Sequence, residues 1–213
     1  RLGNEVILIE PSSRIGGLTT GGLGQTDIGN KQVIGGIALE FYQNIKKHYE
    51  NSNNWIWQEK FEYRDGGQTR SSVAEDAMWT FEPSAALTVL NEMINDNKIK
   101  VFYNERLERK KGVTKNENII KHIIMESGII FSAKVFIDAT YEGDLLASSG
   151  VSYTVGRESN SIYGESLNGN QPNELGKTLK NKISKNNAHH NFIFGVDPYI
   201  EKGNPESGLL PYI

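Results

Sequence analysis

The sequence has no cysteine at all, which excludes disulfides, thiolate nucleophiles and cysteine-ligated metal sites together. It also lacks an excess of charge of one sign, because 23 Lys and Arg face 26 Asp and Glu for a formal net charge of -3. These charges are scattered and form no basic stripe, so we expect no nucleic-acid partner. No apolar run approaches the roughly 20 residues that a bilayer-spanning helix needs, so we expect no membrane partner.

The absence of cysteine is compatible with a reducing or an oxidising compartment, so localisation stays open between the cytoplasm and, for a parent with a signal peptide, the periplasm or the exterior. The oligomeric state is equally open. What the chain does have is length: 213 residues suffice for one large domain, or one domain and part of a second.

The first half of the chain alternates strand and helix signals. Residues 6–9 form a short apolar run typical of a buried strand, and eight glycines punctuate residues 14–36, which favours close backbone approach over regular structure. Residues 37–49 have the spacing of an amphipathic helix, and Pro83 begins a second helix that should end near Asn97. Between the two helices lies a polar and aromatic excursion, residues 50–80, for which the tryptophans at 55, 57 and 79 are the expected anchors.

The next segment is a run of predicted strands at residues 99–103, 107–111, 119–125, 129–133 and 135–138, with Glu126-Ser127-Gly128 as a hairpin turn. We expect the first and last of these strands to join residues 6–9 in a mostly parallel sheet. The middle three should form a separate antiparallel meander. After Gly150 the pattern loosens, which places a domain boundary near residues 150–157.

The first candidate site lies at the end of residues 6–9. Glu10 stands where a carboxylate can accept hydrogen bonds from both hydroxyls of a ribose at the sheet edge, although a solvated acid at a strand end is the alternative. Gly16 and Gly17 would let backbone N–H groups approach a pyrophosphate, with Arg14 nearby to neutralise its charge. The alternative for this pair is an ordinary Gly-Gly turn.

The second candidate site is the run FIDATYEGD at residues 136–144. Ala139, Thr140 and Gly143 are small or polar residues that would let a cofactor lie across a strand end. Asp144 opens a predicted helix, where a carboxylate can accept a ribityl hydroxyl while backbone N–H groups contact phosphate. Its alternative role is to satisfy the free N–H groups and the dipole of that helix.

The order of a strand, Glu10, RIGG, a glycine-rich run and the later DATYEGD resembles the FAD-dependent oxidoreductase family with the glutathione-reductase-like, two-dinucleotide-binding fold. Within that family the sequence resembles bacterial flavoproteins labelled xanthan lyase-like. The resemblance covers residues 1–42 and 82–158, and the order of elements is more specific than any single motif.

This resemblance implies an α/β fold class, with a Rossmann-like FAD-binding parallel sheet, a three-stranded antiparallel meander and part of a second, substrate domain. On that basis residues 1–150 are a partial FAD-binding domain, and residues 151–213 begin an incomplete substrate domain. The implied cofactor is FAD.

The resemblance also implies roles for individual residues. Glu10 would bind the adenosine ribose, Arg14, Gly16 and Gly17 would lie on the pyrophosphate side, and Asp144 would hold the ribityl or phosphate portion. Because ligands of doubly wound sheets lie beyond the carboxyl ends of strands, we expect Glu10 and Asp144 to converge on one cleft.

The remaining cofactor-binding residues follow from the same resemblance. Residues 18–24 would pass near the isoalloxazine ring. The predicted set therefore also includes Thr19, Thr20, Gly22, Ala139, Thr140 and Gly143.

The G-x-G-x-x-G turn that lies about 20 to 30 residues before the family's ribose-binding acid is absent from the sequence, and Arg1-Leu2-Gly3 resembles the last turn of the helix after it. We therefore expect a chain truncated at its amino terminus that also ends within the substrate domain. On that expectation the 213 residues alone bind FAD weakly or not at all, and the parent protein binds it well.

The implied function is transfer of a hydride or an electron pair between a small-molecule substrate, of carbohydrate-related chemistry, and flavin. The alternatives are a nucleotide- or saccharide-binding module without redox chemistry and a degenerate product without function. Arg157 is the candidate for anchoring an anionic substrate, and no residue is identified as a catalytic acid or base. Adjacent side chains such as His189 and His190 diverge and lack a third ligand nearby, so we expect no metal site.

Overall fold

The computed structural model describes residues 3–24, 29–63, 76–156, 158, 160–164, 197 and 199–204. The chain divides into two compact units, Arg1–Ile137 and Asp138–Ile213. The assignment of residues 1–150 to cofactor binding and of residues 151–213 to substrate binding stays a prediction. Within the described ranges, no helix is both long enough and apolar enough to cross a membrane.

A parallel pair of strands begins the first unit. Strand β1 (Ile7–Glu10) pairs with β2 (Lys100–Tyr103), and Glu10 lies opposite Tyr103 at the end of the register. Their β-branched and aromatic residues favour extended backbone. The predicted parallel pairing of residues 6–9 with 99–103 is confirmed, and the carboxyl ends of both strands share one edge of the sheet.

The described part of the connection between these strands contains helices α1 (Gly17–Gly21), α2 (Gly36–His48) and α3 (Pro83–Asp96). Short 3₁₀ turns lie at Lys31–Val33, Ser52–Asn54 and Lys60–Glu62. The two long helices confirm the predictions from spacing and from Pro83. The expectation of irregular backbone throughout residues 14–36 is wrong, since α1 and one 3₁₀ turn lie there.

The main core of this unit lies where α2 packs against α3. Ala85 and Ala86 on α3 are small enough to let the helices approach, and Phe41 meets Phe81 edge-on at 5.6 Å between ring centroids. Ile37 has the helical spacing of this core but is 63% exposed, because it lies in the first turn of α2 beyond the contact. The buried members are Phe41, Ile45, Tyr49, Phe81, Ala85, Ala86 and Val89.

The three tryptophans of the aromatic excursion differ in burial. Trp79 is 1% exposed and lies 4.3 Å from the Tyr42 ring centroid, which confirms it as an anchor. Trp55 is half-buried, and its indole N–H donates to the Tyr49 carbonyl at 2.8 Å. Trp57 is 85% exposed, so the prediction that it anchors this segment is wrong.

Tyr49 links the end of α2 to the start of α3. Its hydroxyl donates to Glu82 Oε2 at 2.9 Å and accepts the Glu82 backbone N–H at 3.0 Å. Burial raises the pKa of Tyr49 to about 12, and the adjacent Glu82 carboxylate adds to the rise while the Glu82 N–H opposes it. The neutral hydroxyl is therefore part of the folded core.

We expect Tyr49→Phe to lower the free energy of unfolding by about 1–3 kcal/mol, because the Glu82 N–H loses its acceptor. Unfolded chains release the tyrosine proton near pH 10, whereas the folded chain holds it to about pH 12. The stabilisation from Tyr49 is thus complete below the unfolded pKa and is lost as pH rises through the folded one.

Urea unfolding as a function of pH measures this difference. Tyr103→Phe is the control, because Tyr103 is 39% exposed and makes no such bond among the described residues. A Tyr49→Phe variant that is as stable as the unsubstituted protein at neutral pH would show that this link is unimportant. So would a variant whose stability falls as steeply with rising pH as that of the unsubstituted protein.

A three-stranded antiparallel meander follows β2. It consists of β3 (Val113–Asn116), β4 (Ile119–Ile124) and β5 (Ile130–Ser132), in that spatial order. The predicted hairpin turn at residues 126–128 is confirmed, since the Gly128 N–H donates to the Met125 carbonyl at 2.9 Å. Phe131 packs edge-on against Phe102 of β2 at 4.8 Å, which joins the meander to the parallel pair.

The predicted strand at residues 107–111 is wrong, because Leu107 forms only an isolated bridge to Met125 before the chain turns. The Glu108 carboxylate accepts the N–H groups of Lys110 and Lys111, at 3.0 and 2.5 Å. These N–H groups hold the pKa of Glu108 below its usual value. The local turn takes the donors that a strand ladder would need, so the meander begins later, at Val113.

The predicted strand at residues 135–138 is also wrong. Val135 and Ile137 are 73% and 83% exposed, and no described residue pairs with this segment. A short apolar run predicts a strand, but a strand also needs a neighbour for its backbone groups. Here the Asp138 side chain instead accepts the Thr140 N–H at 3.0 Å and starts a turn.

The second unit contributes two short described helices, α4 (Asp144–Ser148) and α5 (Asn160–Tyr163). Helix α4 confirms the predicted helical stretch after Gly143. Buried Ser149 ends it, donating its hydroxyl to the Leu145 carbonyl at 2.6 Å.

Candidate functional site

Glu10 is the last residue of β1 and is half-buried at the carboxyl edge of the parallel pair. Its Oε1 accepts the Ser12 backbone N–H at 2.8 Å and lies 2.7 Å from the Ser12 hydroxyl. Its carbonyl accepts the Glu105 N–H at 3.1 Å, just beyond β2. These contacts hold the carboxylate in place, while Oε2 accepts no hydrogen bond from any residue within the described ranges.

The turn after Glu10 is organised by Ser12. Its hydroxyl also lies 2.9 Å from the Arg14 carbonyl and accepts the Arg14 N–H at 3.2 Å, so its single proton serves either Glu10 or Arg14. The Arg14 side chain is exposed, and its Nη2 lies 3.7 Å from where a Cβ on Gly21 would be. The guanidinium therefore lies beside the end of α1.

Gly16 and Gly17 form the entry to α1 with positive φ values of 95° and 53°. A Cβ on Gly16 would overlap the Thr20 side chain and lie 2.7 Å from Leu90 Cδ1 on α3. Gly16 is thus required for the packing of α1 against α3. Gly17 is exposed, so its backbone is open to a ligand.

Of the residues predicted on α1, Thr20 is 1% exposed and its hydroxyl donates to the Ile15 carbonyl at 2.5 Å. Thr19 is half-buried, and Gly22, with φ 142°, is exposed with no described heavy atom within 4 Å of a Cβ built there. Leu18 is 60% exposed. Contact of Thr19, Thr20 and Gly22 with a cofactor stays a prediction, and the open backbone at Gly22 is compatible with it.

The second unit contains a compact turn built on Asp138. Oδ1 of Asp138 accepts the N–H of Thr140 at 3.0 Å and its hydroxyl at 2.7 Å, and Oδ2 accepts the Leu146 N–H at 3.0 Å. The Thr140 hydroxyl also accepts the Gly143 N–H at 3.0 Å. Sequence reasoning missed Asp138 as a site residue, although Asp-x-Thr before a helix is a recognisable turn signal.

Asp138, and not Asp144, satisfies the backbone at the start of α4. Desolvation raises the pKa of Asp138, but the hydrogen bonds from Thr140, Leu146 and Leu145 outweigh it and lower the pKa overall. Asp144 is the first residue of the helix and half-buried, and its carboxylate has no hydrogen-bond partner among the described residues. The alternative role predicted for Asp144, satisfying the free N–H groups at the start of this helix, is therefore filled by Asp138.

We expect Asp138→Ala to increase amide exchange at Leu146 roughly tenfold or more, because a hydrogen bond to a charged acceptor is lost. Since the folded pKa of Asp138 is lowered from 3.8, the protection it confers is complete above that value and is lost as pH falls further. Hydrogen exchange followed by NMR measures this. Exposed Glu142→Ala is the control, and equal exchange in both variants would contradict the assignment.

Ala139 and Thr140 are exposed and Gly143 is half-buried with φ 66°, so the turn presents small residues and backbone to its surroundings. Asp144 belongs to one compact unit and Glu10 to the other. Their convergence on one cleft stays a prediction, and so do the cofactor roles of the individual residues.

The other candidates are placed as follows. His48 packs edge-on against Tyr49 at 5.1 Å, and His122 is half-buried within β4. Arg157, His189 and His190 lie outside the described residues. Among the residues the structure describes, no group of three or more His, Asp or Glu side chains could hold a metal ion.

An α/β unit whose first strand ends in an acidic residue, followed by a glycine-rich turn and a short helix, is consistent with the α/β class of nucleotide-binding folds. Comparison with known families specifies it further: the chain belongs to the FAD dependent oxidoreductase family, whose model matches residues 1–202. No curated protein and no solved structure matches the chain. The narrower resemblance to xanthan lyase-like flavoproteins stays a prediction.

The cofactor of this family is FAD, and the described residues fit it. The carboxylate of Glu10 has an acceptor oxygen without a described partner where a ribose is expected, and Arg14 adds an exposed cation within the same turn. The backbone at Gly17 and Gly22 is exposed without a Cβ, so phosphate or ring atoms can approach it.

Proposed function

We propose that the protein transfers a hydride or an electron pair between a small-molecule substrate and FAD. Bound FAD supplies the redox chemistry, and the chain supplies binding, orientation and electrostatics. A carbohydrate-related substrate is the narrower form of this proposal. Membership in the FAD dependent oxidoreductase family supports it over a binding module without redox chemistry.

The observation that carries the proposal is the state of the Glu10 carboxylate. The Ser12 backbone N–H donates to one oxygen, which the Ser12 hydroxyl also approaches, and the other oxygen keeps its acceptor capacity at the carboxyl edge of the parallel strands. A fixed anionic acceptor at this edge suits the two vicinal hydroxyls of the adenosine ribose.

Arg14 and Gly17 follow within the same turn. In the proposal the exposed Arg14 guanidinium offsets the charge of the pyrophosphate, because its planar N–H groups match phosphate oxygens. The backbone N–H of exposed Gly17 lies in the first turn of α1, where N–H groups have no partner within the helix, and in the proposal it contacts the pyrophosphate. Gly16 acts differently, since it keeps α1 packed on α3 and so fixes where that backbone lies.

In the second unit, Asp138 is proposed as a positioning residue and Asp144 as the cofactor ligand. Asp138 holds the turn and the start of α4 through Thr140 and Leu146. This leaves the half-buried Asp144 carboxylate available to accept a ribityl hydroxyl. Ala139 and Gly143 keep the approach free of bulky side chains.

The proposal is tested on the purified product of the whole reading frame. We expect protein with a flavin absorption spectrum that bleaches on anaerobic addition of dithionite and returns in air. Anaerobic addition of a substrate should bleach the flavin spectrum in the same way without dithionite. Colourless protein that binds no FAD but binds a saccharide would instead support the non-redox module.

A further inference from the structure

The first unit contains a cavity that the cofactor proposal does not use. A cavity of about 130 Å³ lies at the junction of the end of α2, the segment after it and the start of α3. We call it the aromatic pocket and define it by Tyr49, Trp55, Trp57, Tyr63, Phe81 and Glu82, all of which line it.

The rings of the aromatic pocket are inclined to one another. The Trp55 ring centroid lies 5.0 Å from Tyr49 at an interplanar angle of 52°, and 5.6 Å from Tyr63 at 61°. These two ring pairs pack at an angle and do not stack as one flat surface. The faces of aromatic rings carry negative charge density and attract cations.

Trp57 is the least buried wall, with 85% of its surface exposed. The neighbouring rings of Tyr49 and Phe81 are buried, whereas no residue in the described ranges covers this indole to a comparable extent. An indole is the aromatic group that binds cations most strongly. Its exposure at the pocket therefore leaves a face available to a ligand.

The charged group that lines the aromatic pocket is a carboxylate. Among its described lining residues, Glu82 is the only one with a charged side chain, and no Lys, Arg or His is present. Oε2 of Glu82 accepts the Tyr49 hydroxyl, and its other oxygen accepts no hydrogen bond from the described part of the chain. A carboxylate surrounded by aromatic rings is complementary to a cation with an apolar body.

We propose that the aromatic pocket binds an organic ammonium ion, of the methylated or quaternary class. Trp55, Trp57 and Tyr63 contact its apolar, positively charged groups, and Glu82 supplies the counter-charge. A saccharide is the competing ligand, because it also stacks on tryptophan. Its hydroxyl groups can donate to Glu82, but it has no positive charge to match that carboxylate and the faces of the rings.

Isothermal titration of the whole protein with choline tests this proposal, and 3,3-dimethylbutan-1-ol serves as the uncharged ligand of the same shape. We expect choline to bind and the alcohol to bind at least about tenfold more weakly, within the range of cation–π energies. Trp57→Ala should weaken choline binding about 3- to 30-fold. The control Phe61→Ala, at a residue that is 73% exposed and is not among the described lining, should leave it unchanged.

A second variant separates charge from shape. Glu82→Gln should weaken binding of choline and leave that of the alcohol unchanged. Equal affinity for choline and the alcohol would overturn the proposal. So would the absence of choline binding, or binding of glucose that is lost in Trp57→Ala while choline does not bind.

Discussion

Replacing Glu10 with Gln is expected to weaken FAD binding about 10- to 100-fold, because a charge-assisted hydrogen bond contributes about 1.5 to 3 kcal/mol. Glutamine keeps the shape and one acceptor oxygen but loses the charge. Ser12 can still donate to the amide oxygen, so the turn should persist. Quenching of FAD fluorescence on titration with the product of the whole reading frame measures the affinity.

Two controls make this result specific. Glu5→Gln changes an exposed acid at the amino end of the same strand segment and should leave FAD affinity unchanged. FMN lacks the adenosine ribose, so its affinity should be the same for the parent and for Glu10→Gln. Unchanged FAD affinity in Glu10→Gln, or an equal loss for FMN, would contradict the role of Glu10.

The second large effect is expected at Gly16. Gly16→Ala should lower the free energy of unfolding by about 2–4 kcal/mol, since a residue with a Cβ is strained at positive φ and overpacking adds its own cost. Gly16 has φ 95°, and the added methyl would press on Thr20 and Leu90. The result should be loss of the contact between α1 and α3, measured as a lower urea midpoint.

Gly21→Ala is the matched control within the same helix. Among the described residues, a Cβ there would meet Arg14 Nη2 alone, at 3.7 Å, which is an ordinary contact. Alanine also favours helix, so this variant should be as stable as the parent or slightly more stable. Equal stability of the two variants would show that Gly16 is not constrained as described.

Local patterns correctly predicted two helices and two strands. Apolar spacing predicted α2, proline in the first turn predicted α3, and short apolar runs predicted β1 and β2. Strands were also predicted at residues 107–111 and, from a short apolar run, at residues 135–138. There, hydrogen bonds to Glu108 and Asp138 replace the ladder with turns.

The candidate site was predictable only in part for the same reason. The position of Glu10 follows from the end of a strand, and the structure places it at the carboxyl edge shared with β2. The burial of Thr20 and the close approach of Gly16 to Leu90 depend on how α1 meets α3, more than 60 residues along the chain. The role of Asp138 depends on which backbone N–H groups the folded turn brings within hydrogen-bond distance of its carboxylate, including that of Leu146.

The central claim is that the Glu10 carboxylate holds the adenosine ribose of FAD. A crystal structure of the whole protein with FAD bound tests it most directly, through the distance from the Glu10 carboxylate oxygens to the two ribose hydroxyls. We expect at least one distance of about 2.5–3.0 Å, with Ser12 still donating to the other oxygen. Bound FAD whose ribose hydroxyls both lie beyond hydrogen-bond distance of Glu10 would contradict the account.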